Sequence, residues 1–130
     1  MSMALLSCSS NKIVKSDTSG IDITQSANKT IEIIKGAYLK KDMDQIQALT
    51  TDDTFRLLKT QIKNFDQASL SLTPIWVEIN KDTIQLSFSW EGTWKQDNKT
   101  TKERGVAVFV LLPETLKLSQ ILRSSPFLFP

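Results

Sequence analysis

The 130-residue chain has no histidine, one cysteine and one tyrosine, and only four glycines and four prolines. Without histidine it lacks the side chain most used to move protons near neutral pH and to ligate metals. A single thiol excludes an intramolecular disulfide and a thiolate zinc cluster. No uninterrupted apolar run approaches the ~20 residues that cross a bilayer as a helix. An excess of one charge is missing as well, since 16 basic residues face 14 acidic ones for a net charge of +2. The longest basic run, Lys40–Lys41, is followed at once by Asp42 and Asp44. With no stripe of cations to neutralise phosphates, nucleic acid is not expected as a partner. Asp42, Asp44, Asp52 and Asp53 lack the further oxygen ligands and the turn glycine of a calcium loop, so they read as helix caps. No cofactor and no metal site are expected.

What is present suits an ordinary globular chain: 40% hydrophobic and 23% charged residues, enough for the core of one domain. The first landmark is Cys8. Leu5, Leu6, Ser7 and Cys8 resemble a bacterial lipobox, in which the cysteine is acylated and becomes the mature N-terminus. Ser9 to Asp22 then reads SSNKIVKSDTSGID, polar and without a periodic apolar face, as a flexible tether would. The resemblance implies a lipid anchor on Cys8 and a place in the cell envelope. Ser9 in the next position is similar to lipoproteins held on the periplasmic side of a Gram-negative outer membrane. The other reading of Cys8 is an exposed, functionally silent thiol; a nucleophile would have no histidine partner.

A helical third follows. Ala27, Ile31, Ile34 and Tyr38 share a helical face, Asp42 with Gln45 reads as a capping box, and Thr51 as the cap of a third helix. Phe55, Leu58, Ile62 and Phe65 form that helix's apolar stripe. The period then changes to two. Ser69–Ile79 and Thr83–Trp94 alternate as a hairpin, with Ile84, Leu86, Phe88, Trp90 and Trp94 on one face. A two-residue turn at Asn80–Lys81 would pair Ile75 and Val77 with Leu86 and Ile84, and a three-residue turn would instead bring in Trp76 and Glu78. The apolar match favours the two-residue turn. Pro74 fits an edge strand or a bulge. Lys95–Lys102 reads as a solvated loop, Arg104–Leu112 as a strand covered on both faces, and Thr115–Arg123 as a last strand with SSPFLFP trailing. Asn28 and Asn98 each open an Asn-Lys-Thr triplet, a sequon frequent by chance.

The expected fold is α+β: N-terminal helices packed on a curved, cone-like, four-stranded antiparallel sheet. The stretch AYLKKDMDQIQALTTDDTF is similar to the helical opening of the nuclear transport factor two-like (SnoaL-like, cystatin-like) superfamily. GVAVFVLL, KLSQI and a closing PF look like its end. Residues 1–8 then form a residual signal with the lipobox, 9–22 the tether and 23–130 the domain. The resemblance implies a cone-shaped sheet with an apolar pocket, in which Tyr38, Trp76, Glu78, Phe88, Trp90 and Trp94 are the candidate ligand contacts. Trp94, near the strand end, is expected to be partly exposed. No catalytic residue is assigned. The expected role is a lipid-anchored, non-catalytic module for a small apolar ligand or an envelope protein. An isomerase or dehydratase using Tyr38 with Glu78 or Glu91 is one alternative, and an assembly module that homodimerises through the sheet is another.

Overall fold

The computed structural model describes the backbone from residue 2 to residue 130 and the side chains from residue 20 onward. Cys8 and residues 9–19 of the tether lie outside the residues described with side chains. Helices α1 (Ser2–Lys40), α2 (Met43–Ala48) and α3 (Asp52–Gln61) precede four strands, β1 (Gln67–Ile79), β2 (Ile84–Gln96), β3 (Lys99–Leu111) and β4 (Leu118–Arg123). A short 3-10 turn, η1 (Pro126–Leu128), follows. The strands form an antiparallel meander in the order β1-β2-β3-β4, an open sheet with the helices packed on it.

Local chemistry explains the helical boundaries. The apolar face of α1, Ala27, Ile31, Ile34 and Tyr38, is buried against the sheet. The helix stops at Lys41, whose φ of 61° is left-handed. The Lys41 amide donates to the Tyr38 carbonyl at 3.1 Å and the Asp42 amide to that of Ala37 at 2.8 Å, the paired bonds of a Schellman ending. Asp42 caps α2 through the Gln45 amide at 3.2 Å, and Thr51 caps α3 through the Thr54 amide at 3.4 Å. The junction of α2 and α3 is tied to the far side of the sheet. Thr51 donates to the Leu118 carbonyl and Leu118 to that of Leu49, both at 2.9 Å.

In the sheet, turn chemistry corrects three expectations. The β1–β2 hairpin closes at Ile79↔Ile84 around four residues, Asn80 to Thr83, so it takes neither expected register. Val77 pairs with Leu86 instead of Ile84, and apolar residues still meet because shifting a register by two residues preserves the faces. A bulge between Pro74 and Trp76 absorbs the one-residue difference further along the pair. Lys95–Lys102 is no open loop: β2 and β3 run on to Gln96↔Lys99 around Asp97 and Asn98. Their φ angles of 50° and 66° are those of a two-residue hairpin turn that Asp and Asn favour. Finally, β3 is covered on both faces only towards its end. Ala107, Phe109 and Leu111 are buried on the helix-facing side and Val110 is buried on the other, while Val106 nearer the start of the strand is exposed.

Candidate functional site

The six residues expected to line a pocket separate into two groups. Tyr38, Phe88, Trp90 and Trp94 are buried side by side. Trp76 is 65% exposed and Glu78 is exposed, both near the end of β1. The expectation for Trp94 is reversed, since it is wholly buried. Gly92 is the reason. It lies two residues before Trp94 on the same strand face and leaves the space over which the indole lies. Gly105, opposite Trp90, plays the same part for that ring: a Cβ there would meet its Cζ2 at 3.0 Å.

The buried group is closed by the segment after β4. Phe129 packs 5.6 Å from both Trp90 and Trp94, and Phe127 packs 4.7 Å from Tyr38. Every polar handle in this cluster is used. Trp94 Nε1 donates to Tyr38 Oη at 2.7 Å, Tyr38 Oη donates to the Phe129 carbonyl at 3.1 Å, and Trp90 Nε1 donates to the Ser124 carbonyl at 2.8 Å. Such a network is fully paired, as buried aromatics with a polar tip require.

Burial pushes the Tyr38 hydroxyl up to about 12 from 10.0, and the bond from Trp94 offsets part of that rise. An unfolded tyrosine ionises first, so the unfolded state binds fewer protons above pH 10. Stability from this group is complete below pH 10 and is lost as pH climbs towards 12, by about 2–3 kcal/mol in all. Tyr38 is the only tyrosine. Tyrosinate absorbance should therefore follow the unfolding transition in alkali, and Tyr38→Phe should flatten this part of the pH profile. A tyrosine that titrates near 10 in the folded protein would refute the burial argument.

Neither candidate acid joins Tyr38. Glu78 is exposed and accepts from Asn80 Nδ2 at 3.0 Å, and Glu91 is exposed opposite Arg104. Asp42 is engaged in its cap, and among the residues described with side chains no three acidic or sulfur groups converge as a metal site would need.

The second group forms a different surface. Beyond the bulge, Ile75, Trp76, Val77 and Ile79 are all exposed. They lie on β1, which pairs only with β2 and so presents a free strand edge. Behind them is a cleft of about 180 Å³ walled by Pro74, Ile75, Trp76 and Val77, with Leu86 and Phe88 from β2 and Thr24 and Asn28 from α1. Asn28 Oδ1 is buried and accepts no hydrogen bond among the described residues. An unpaired buried oxygen is costly, by about 1–3 kcal/mol, so a partner N–H would be gained cheaply there. Trp76 and Pro74 stand out in the sequence; Asn28 does so only as the start of a chance sequon, because an asparagine on a helix carries no sign of what it faces. No family model matches the chain, and neither the curated proteins nor the solved structures yield a match.

Proposed function

We propose that the chain is the binding domain of a lipid-anchored envelope lipoprotein with a nuclear transport factor two-like architecture, and that it holds a protein partner instead of turning over a substrate. The carrying observation is the division of the aromatics. Phe127 and Phe129 pack against Tyr38, Trp90 and Trp94 where a cone pocket would need space, and Ile75, Trp76, Val77 and Ile79 form a run of exposed apolar residues on the edge strand β1. A partner strand laid along that edge gains main-chain hydrogen bonds, buries Trp76, and can satisfy Asn28 from the cleft. The isomerase alternative has less support, because Tyr38 has committed its proton and has no acid beside it.

A second copy of the chain is a specific version of this reading. Pairing Ile75–Ile79 antiparallel with itself about Val77 sets Ile75 against Ile79 and Trp76 against Glu78. The two carboxylates then never face each other, so like charges do not oppose the contact.

Trp76 is the one exposed tryptophan of three. Acrylamide should quench it selectively, and partner binding should protect it. Sedimentation equilibrium decides between the two partner types: a dimer abolished by Val77→Lys identifies a second copy. If the chain stays monomeric, a photo-crosslinker at position 76 in cells should trap one envelope protein, and Val77→Lys should abolish that adduct. A monomer that yields no adduct would overturn the binding reading. Fatty-acid labelling of the full precursor tests the anchor, and an unlabelled Cys8 would refute it.

A further inference from the structure

A second concavity lies away from the β1 edge, between the end of α1 and helices α2 and α3. It encloses about 270 Å³, roughly the volume of nine liquid waters. Its floor is apolar, built by Met43, Ile46, Ile62 and Phe65 around the edge of Tyr38. Its remaining wall carries Lys41, Lys59 and Lys63, together with the neutral Asn64, and no acid lines it. Among the described residues none of the three lysines belongs to an ion pair; the salt bridges there are Lys35–Glu32 and Arg56–Asp53.

None of the three lysines has an acidic side chain as its partner among the described residues. Lys41 Nζ donates to the Phe65 carbonyl and sits 4.9 Å from that residue's ring centroid. Lys59 Nζ lies 5.7 Å from the Phe55 ring, and Lys63 Nζ lies 3.4 Å from a main-chain oxygen of Pro130. Lys41 also occupies a left-handed backbone position, where glycine is preferred and a larger residue costs on the order of 1 kcal/mol. No side-chain carboxylate lines the cavity beside these three cations, so an anion entering it would meet no like charge from a lining side chain.

We propose that this cavity binds a small anionic amphiphile: an apolar tail of about six to eight carbons on the Ile46–Phe65 floor, and a carboxylate or phosphate head among Lys41, Lys59 and Lys63. An apolar recess with a few convergent polar groups is the usual form of such sites. The volume limits the tail, and the absence of lining acid fixes the charge of the head. This site is independent of the β1 edge and can fail or hold without affecting that reading.

The test is an amide-shift titration of the folded domain with octanoate, octyl phosphate, octanol and inorganic phosphate. Octanoate or octyl phosphate should shift amides at Lys41, Ile46, Ile62 and Phe65, with a dissociation constant on the order of 1 mM or below. Whichever binds more tightly identifies the head group. Octanol and inorganic phosphate should each bind roughly tenfold more weakly. Lys41→Gly removes one cation while suiting the left-handed backbone, so it should keep the fold and weaken binding roughly fivefold. Lys59→Gln with Lys63→Gln should weaken it further. Equal binding of octanol, shifts confined to other surfaces, or a folded Lys41→Gly variant with unchanged affinity would each overturn the proposal.

Discussion

Gly92→Ala should cost the protein about 3–4 kcal/mol, whereas Gly36→Ala should stabilise it by up to about 1 kcal/mol. The two glycines sit in regular structure and the added methyl is the same, so the difference comes from surroundings. A Cβ at Gly36 meets nothing within 4 Å, and a helix interior favours alanine over glycine. At Gly92 the new carbon would lie 2.4 Å from Trp94 Cη2 and 2.7 Å from Cζ3. That ring cannot move aside cheaply. It stands edge-on to Trp90 at 6.3 Å and 83°, leans on Phe129, and holds Tyr38 Oη through its N–H. Shifting it adds the cost of a broken buried hydrogen bond to the cost of overpacking. Such a loss is a large part of the roughly 5–15 kcal/mol that a domain of this kind has in total. Urea denaturation of the two variants measures both effects, and equal midpoints would contradict the packing account.

The same glycine shows what the chain's pattern could and could not convey. Helical periodicity placed Ala27, Ile31, Ile34 and Tyr38 on a buried face, and alternation placed Ile84, Leu86, Phe88 and Trp90 on another. Both follow from the geometry of a single element, so both are legible locally. The burial of Trp94 departs from its place near the strand end because it depends on a missing side chain at Gly92, a relation between two residues and not a property of either. Asp97–Asn98 was readable in principle, since that pair suits the left-handed angles of a tight turn. The surrounding lysines and threonines hid it among polar residues. The four-residue turn after Ile79 was not readable, because turn length and the Pro74 bulge shift register in compensating steps.

The candidate surfaces divide in the same way. Trp76 is expected from the sequence in one pocket with Phe88, Trp90 and Trp94, and its exposure instead follows from β1 having one neighbour. Asn28 and the lysine-rimmed cavity needed tertiary structure. Lys41, Lys59 and Lys63 come from two different segments, and nothing in their spacing signals that they converge on Phe65 and Ile46. Only the left-handed turn at Lys41 brings the first of them round to meet the other two.

Phe127→Ala should be at least as damaging as the Gly92 substitution, and it should open the pocket that the native chain keeps filled. Phe127 is 1% exposed and packs 4.7 Å from Tyr38 and 6.3 Å from Phe109, held there by a turn whose Ser125 hydroxyl accepts from the Phe127 amide. Truncating such a ring costs about 3–5 kcal/mol, the lost transfer energy plus the cavity left behind. Leu128 next to it is 37% exposed, so Leu128→Ala serves as the control and should cost under about 1 kcal/mol. The cavity left by Phe127 would be apolar on most of its wall, since Tyr38 keeps its bonds to Trp94 and Phe129. An apolar void of that kind stays dry and accepts a benzene-sized guest. Saturating benzene should therefore raise the melting temperature of Phe127→Ala and leave wild type unchanged, because only a site present in the folded variant can shift its stability. If benzene stabilises wild type to the same degree, the cone is already open and the case for a non-catalytic, edge-binding module weakens. If Phe127→Ala costs no more than Leu128→Ala, the closing segment is not what holds the aromatic cluster together.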